Sequence, residues 1–582
     1  MKRLLPLLSL LIVCAAGAAQ VYSTGPEFVR DAVGTRSYRA APRLAQQASI
    51  EPAATLAAAV ESVPEEIVAI REWNDAGREP MKNGFTRTVD PIIVRLDAGV
   101  AKRAVSMSRG LAAASDRGTV AWSGAVRVEG AYRLRLHLTN VKLPDGATLW
   151  VYGEGQTPIG FGKELLSEGS LYTPSVSGPV AYLELEIATP KNESEAASFE
   201  IRDLLEIVGQ SGLHTPELQT NDSPSCLVDA TCVTSATFNA IAFARAGVAH
   251  LQYIKSGNGF VCSGGLLNDT DTSSTIPYLL TANHCFDTQA SASSLEAYFD
   301  YKTTSCNGVN PGFPAAVNGA TLLATGTTTD FTLVRLNSIP GGRVLLGWTT
   351  QPQSDGTKLH RVSHPFPDSF NIPAPQMYSN TTINSSFGSC QSRPQSNYLY
   401  SNNGQGGTYG GSSGAPVLLA DGSVIGQLFG ACGSDPTSGC NIITNAAVDG
   451  RFSATYPNIS QYLNPTTATC TESSTALCLN TRFRVQATYQ SGSGQSGQAQ
   501  VVKLTSDTGY LWFFNSSNVE IVVKVLNACG INGYWVFAGG LTDVRVTLTV
   551  TDTQTGAVKT YTNPIGTPFQ PIQDTSAFST CP

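Results

Sequence analysis

Charge is scarce in this sequence. Charged residues make up 14% of it, against about 25% in an ordinary soluble protein. There is no basic excess, the net charge being -7, so nucleic acid is not expected as a partner. Beyond the extreme N-terminus there is no long apolar run, which excludes a polytopic membrane protein and stable membrane insertion. No Cys-x-x-Cys or His-Glu-x-x-His occurs and the six histidines are scattered, so neither a metal site nor another cofactor is expected. With 42% hydrophobic residues the chain is neither collagen-like nor globally disordered.

What is present is unevenly spread. At about 150 residues per domain, 582 residues suggest roughly four folding units. Of the 81 charged residues, 47 lie in the first 220. Cysteine changes at the same place: Cys14 stands alone, and the other twelve run from Cys226 onward. Two kinds of material therefore join near residue 220. Lys2 and Arg3, the apolar run Leu4 to Val13, and small residues up to Gln20 have the layout of a secretory signal peptide over 1–20. Bulky Val13 before Cys14 argues against a lipidated cysteine. Export places the twelve later cysteines in an oxidising space, and their even number allows up to six bridges. The expected location is extracellular, reached through the periplasm in a Gram-negative bacterium.

Residues 21–75, rich in Ala, Arg, Glu and Pro, read as an extended or weakly helical lead-in to a region ending near 220. Within it, a cysteine-free β domain is expected over about 86–205. Ala131-Tyr-Arg-Leu-Arg-Leu-His-Leu138 and Tyr182-Leu-Glu-Leu-Glu-Ile187 alternate with period two, and Pro144-Asp-Gly marks a turn. Residues 210–225 form a polar linker. From 221 to 465, short strands separated by Gly, Asn, Ser and Pro clusters suggest an all-β sandwich or barrel with little helix. A Thr- and Ser-rich second linker precedes strand-like runs from Phe483 to Val550, so a β-sandwich is expected over 466–582. The aromatic runs Tyr510 to Phe514 and Tyr534 to Phe537 belong to its core or, if exposed, to a glycan or cell surface site.

Three segments of the middle region each carry one residue able to do chemistry: Pro277-Tyr-Leu-Leu-Thr-Ala-Asn-His284-Cys285, Thr327-Thr-Thr-Asp330-Phe-Thr-Leu-Val334, and Gly410-Gly-Ser-Ser413-Gly-Ala-Pro416. A serine hydroxyl is a poor nucleophile at neutral pH. It needs a base within hydrogen-bond reach, and the base needs a third group to fix its tautomer. Ser413, His284 and Asp330 suit these roles, with Ser412 the alternative nucleophile. The glycines let the loop aim the backbone N–H groups of Gly411 and Ser413 at a developing oxyanion. His360 and His364 are expected on a loop near the cleft, in structural roles. The chain order His284, Asp330, Ser413 is that of the chymotrypsin-like double β-barrel, not of subtilisin-like or α/β-hydrolase scaffolds.

Here the chain resembles the chymotrypsin-like serine endopeptidases, and among them the bacterial lysyl endopeptidases. Thr281-Ala-Asn-His284-Cys285 matches Thr-Ala-x-His-Cys, Asp330-Phe-Thr-Leu matches the aspartate segment, and Gly411-Ser-Ser413-Gly-Ala-Pro416 matches Gly-x-Ser-Gly-x-Pro. The resemblance implies an all-β chain: a double β-barrel protease at 221–465 between a β-rich pro-domain and a C-terminal sandwich. It implies protein or peptide substrates, and a pro-region that serves as intramolecular chaperone and inhibitor, since barrels of high contact order fold slowly. A monomer is expected. It also implies bridges Cys262–Cys285 and Cys232–Cys306. Cys226–Cys440 with Cys390–Cys432 is one pairing of the remaining four, which spacing does not decide, and Cys470, Cys478, Cys529 and Cys581 would pair among themselves.

Two departures stand out. Ser412 occupies the position before the serine where trypsin-like enzymes carry Asp, so activation by a buried N-terminal ion pair is not expected. The lysine-binding Asp of the lysyl enzymes falls on Ala447, and their stacked His and Trp fall on Phe429 and Cys390. A buried lysine cation without its carboxylate is costly, and no Lys or Arg occurs between Arg202 and Arg245, where self-processing would cut. The expected preference before the scissile bond is apolar or small, with Leu428, Phe429 and Gly430 lining the pocket.

Overall fold

The computed structural model describes residues 21–34, 56–57, 64–97, 99, 105–107, 110–114, 118–209, 227–271, 275–365, 375–389, 393–434, 444–464, 470–531, 533–555 and 557–581. The leader at 1–20, the linker at 210–225, and Cys226, Cys390 and Cys440 lie outside these.

The middle of the chain forms two closed antiparallel rings. The first contains β1 (Val248–Lys255), β2 (Asn258–Leu267), β3 (Tyr278–Ala282), β4 (Glu296–Phe299), β5 (Ala320–Gly326) and β6 (Phe331–Leu336). β2 pairs with β1 and β3, β6 with β3 and β5, and β1 with β4. β4 also pairs with Val317–Asn318, which runs through Gly319 into β5 and completes the ring. The second contains β7 (Lys358–Ser363), β8 (Met377–Ile383), β9 (Tyr398–Gln405), β10 (Pro416–Leu418), β11 (Val424–Gly433) and β12 (Asn445–Arg451). It closes in the order β7, β8, β9, β12, β11, β10 and back to β7. Closure leaves neither ring an unpaired edge. This is the double β-barrel expected from the sequence.

Strand alternation divides the side chains between cores. In β6, Val334 and Leu336 fill the first barrel with Leu251, Tyr253 and Phe299, while Phe331 and Leu333 face the second barrel, meeting Val362 and Leu418. A helix, α1 (Phe452–Leu463), seals that inter-barrel core with Phe452, Tyr456, Ile459 and Leu463. Its spacing of apolar residues is the helical period, but one short helix does not stand out against so many strand signals. Inside the second barrel the interior is partly ionic. Arg361 of β7 and Asp449 of β12, both fully buried, form a two-point ion pair, and Arg361 also donates to Thr381 and Ser401.

The N-terminal β domain stacks two sheets around Trp122, Leu136, Leu183 and Phe199. Its long strand Met81–Leu96 passes beyond this domain and adds to β2, placing Met81 opposite Val261 and Phe85 opposite Asn258. The lead-in departs from the sequence reading. It contains a 12-residue helix, Pro64–Asp75, and two short strands that dock elsewhere, Ser23–Thr24 on Trp348–Thr349 and Glu27–Val29 on Arg343–Leu345. Local composition reveals no partner for such strands, because the pairing residues lie about 320 positions away.

The C-terminal region is a sandwich of two antiparallel five-stranded sheets. Leu511, Phe513, Tyr534 and Val536 from its aromatic runs lie in the core. Cys232–Cys306, Cys262–Cys285, Cys470–Cys478 and Cys529–Cys581 are disulfides. Cys432 is also disulfide-bonded; the pairing expected for it, and that of Cys226 with Cys440, fall outside the described residues.

His360 is not on a loop. It lies within β7, buried, with its ring stacked on Phe238 and Nδ1 hydrogen-bonded to the Tyr378 hydroxyl. His364, just past the strand end, is buried with Nδ1 at the Pro375 carbonyl. Burial pushes both imidazoles down to about 4. The unfolded chain takes up these protons near pH 6.5, whereas the folded one resists until about pH 4. Stability conferred by neutral His360 and His364 is therefore full above pH 6.5 and falls as pH drops from 6.5 toward 4. NMR titration of the histidine rings checks this: both should titrate near 4, and the melting temperature should fall across the same window.

Candidate active site

β3 ends at Ala282, and the following turn carries His284 at the seam between the barrels. Asp330 ends the turn before β6. Its φ of +56° lies in the left-handed region, which Asp tolerates better than most residues. This twist lets one carboxylate serve one neighbour twice. Asp330 Oδ1 accepts the His284 backbone N–H at 2.9 Å, and Oδ2 meets Nδ1 at 2.7 Å. The Asn283 N–H in turn donates to the Asp330 carbonyl at 3.0 Å.

A clamp from the other barrel holds this turn. Gln427 of β11 is fully buried, and its amide donates to the carbonyls of Thr329 at 2.6 Å and Asp330 at 3.1 Å. No motif of the sequence includes it. Its signal is faint, a lone polar residue between Gly426 and Leu428.

The imidazole pKa is raised. Burial pulls it down, but the Asp330 charge, the hydrogen bond to it and the charge of Glu79 outweigh that pull. Nε2 is buried and lacks a hydrogen-bond partner among the described residues. It is the ring nitrogen left to take a proton.

The serine loop connects β9 to β10. Gly411 and Gly414 have φ of +94° and +81°. The Gly411 carbonyl accepts from Ser263 Oγ at 2.9 Å, the Ser413 carbonyl accepts the Ser263 N–H at 2.8 Å, and the Gly414 N–H donates to Leu428 O at 2.8 Å. The loop is thus tied to both barrels, which leaves the N–H groups of Gly411 and Ser413 without acceptors among the described residues. The two serines have different surroundings. Ser412 is fully buried, its Oγ 3.1 Å from Ser363 Oγ and 3.3 Å from the Tyr409 N–H. Ser413 Oγ instead donates to Glu79 Oε2 at 3.4 Å, and no hydrogen bond joins it to His284 Nε2.

Glu79 comes from the N-terminal region, immediately before the strand that adds to β2. The same region makes a buried polar contact with the first barrel. Glu296 of β4 is approached by Arg135 at 3.8 Å and Arg133 at 4.0 Å, and accepts from the Ser175 N–H at 2.8 Å. Helix Pro64–Asp75 places Trp73 edge-on to Phe260, and Ile70 packs with Met81, Phe85 and Val261.

Of the expected pocket residues, Leu428 is buried and its backbone brackets the serine loop. Phe429 is half-buried and meets the His284 ring edge-on, with centroids 5.6 Å apart. A Cβ on Gly430 would meet only open space. Ala447 is half-buried on β12, paired with Ala431 and Ser401. The nearest carboxylate on that strand, Asp449, is held by Arg361 inside the barrel.

Residues 220–445 match the family model of the lysyl endopeptidase C-terminal domain. The lysyl endopeptidase of Pseudomonas aeruginosa is 27% identical over 363 residues, covering 59% of this chain and 74% of that protein. Secreted RxLR effector protein 73 of Plasmopara viticola is 29% identical over 222 residues, covering 37% and 51%. Among solved structures, HL collagenase is similar at 17% identity and a TM-score of 0.26, over 37% of this chain and 92% of its own. A chain titled Structure of GrC is similar at 14% and 0.29, over 40% and 97%. Over its barrel region the chain thus resembles the lysyl endopeptidases by sequence and by family model.

Replacing Gly414 by Ala tests the loop. A Cβ there would overlap Thr281 Oγ1 and Ser263 O, at a φ that suits glycine. Destabilisation of at least about 2 kcal/mol is expected, read from the denaturant midpoint of the barrel transition.

Proposed function

We propose that the chain is a secreted serine endopeptidase, made with a signal peptide and with a pro-region ending near residue 220. The observation that carries this reading is the His284–Asp330 pair at the barrel seam: Nε2 is buried without a partner among the described residues, the adjacent Cys285 Sγ lies 3.9 Å from the Ser413 carbonyl oxygen, and Glu79 acts on both His284 and Ser413. In this mechanism Ser413 Oγ attacks the scissile carbonyl and His284 Nε2 takes its proton. Asp330 holds the tautomer and stabilises the imidazolium. The Gly411 and Ser413 N–H groups stabilise the oxyanion, each worth about 3–4 kcal/mol. His284 returns the proton to the leaving amine, and water then releases the acyl group by the reverse sequence.

The region before residue 220 is both chaperone and inhibitor in this reading. Its strand Met81–Leu96 templates β2, which supports the first role. Glu79 supports the second. Its carboxylate takes the Ser413 hydrogen bond and favours charged His284, and an imidazolium cannot act as a base. Removal of this region frees both groups. The residue before the scissile bond is not lysine: Ala447 offers no carboxylate, and Asp449 already neutralises Arg361.

On a casein zymogram of the processed protein, Ser413→Ala should abolish clearing, with kcat/KM lower by about 10⁵-fold or more. Clearing at wild-type strength would refute the assignment. In the unprocessed chain, Glu79→Ala should speed labelling of Ser413 by a fluorophosphonate by about tenfold. An unchanged rate would show that Glu79 does not restrain the nucleophile.

A further inference from the structure

A cation without a counter-ion among the described residues stands beside the proposed active site. Arg393 is half-buried, and its guanidinium carbon lies 3.9 Å from the centroid of the Phe429 ring. That ring's neighbour is His284. One guanidinium nitrogen of Arg393 donates to the Tyr398 hydroxyl at 2.8 Å, and the Arg393 carbonyl accepts from the Tyr400 hydroxyl. No carboxylate pairs with it among the described residues. Arg451 donates to the Gln395 carbonyl, and burial lowers its pKa. A half-desolvated arginine stacked on a ring gains most from a carboxylate supplied from outside.

The chain's own segments agree. The side chain that reaches Ser413 is an acid, Glu79. The segment after Glu79 runs along β2 of the first barrel. A substrate peptide held at Ser413 with the residues before its scissile bond on the second barrel would pass Phe429, the ring beside His284, and Arg393 stacked on that ring. The linker at 210–225, where processing is expected, has no Lys or Arg but contains Glu217 and Asp222.

We propose that the enzyme selects peptides with an acidic side chain among the four residues preceding the scissile bond, and that Arg393, braced by Phe429 and Tyr398, recognises that carboxylate. This rests on the endopeptidase reading and names its substrate class.

The test uses the processed protein and fluorogenic peptides in which Glu replaces Gln at each of the four positions in turn, with active sites counted by fluorophosphonate titration. At one position at least, kcat/KM for Glu should exceed that for Gln by about tenfold. Arg393→Gln should bring that ratio below about twofold, and Arg393→Lys should keep it above about threefold. Counting active sites and comparing two substrates on one variant separates lost selectivity from lost folding. A Glu/Gln ratio near one at all four positions overturns the proposal, as does a preference that survives Arg393→Gln. Failure of every peptide, without fluorophosphonate labelling, would instead overturn the endopeptidase reading beneath it.

Discussion

One carboxylate holds this site in register. Asp330 accepts two hydrogen bonds from the same residue, the backbone and the ring of His284. This fixes the imidazole's direction and tautomer together. The turn can offer its carboxylate this way only because it adopts a left-handed twist, and Gln427 reaches across from the other barrel to fasten it. The histidine and aspartate come from the first barrel, while the serine loop and Gln427 come from the second. The site therefore exists only where the two barrels meet, and the core of Leu333, Val362, Leu418 and Phe452 that binds them sets the distance between its parts.

The N-terminal region is woven into this arrangement. Strand Met81–Leu96 extends the first barrel's sheet, and residues 21–29 add strands to the segment joining the two barrels. Glu296, fully buried, is satisfied by groups from the N-terminal domain, notably Arg133, Arg135 and Ser175. A buried carboxylate stripped of such partners is costly. Separating the regions therefore re-exposes Glu296 along with Ser413. The packing of the first barrel and the Glu79–Ser413 hydrogen bond thus share one interface.

The charges of the second barrel are what the proposed substrate preference rests on. An ion pair in its interior, Arg361 with Asp449, consumes the only carboxylate of the described part of β12. Phe429 supplies a ring beside the histidine, and Arg393 covers that ring. Positive charge thus stands beside the ring that meets His284.

Much of this was legible in the residues alone. The strand pattern, the segments around His284, Asp330 and Ser413, and the glycines beside Ser413 are each local signals, because a turn is shaped by its immediate neighbours. The bridges Cys262–Cys285 and Cys232–Cys306 followed from the family likeness. The placement of His360 in a strand, the helix Phe452–Leu463 and the docking of residues 21–29 were not legible, because each depends on a partner surface rather than on local pattern. The same holds for the side chains that complete the site. Gln427 clamps a turn about 100 residues away in sequence, and Glu79 touches a serine 334 residues away. Which groups could do chemistry was written in the sequence. Which of them meet, and that Ser413 rather than Ser412 reaches Glu79, was decided by tertiary packing, since only closed barrels packed together with the N-terminal region bring such distant residues within hydrogen-bonding reach.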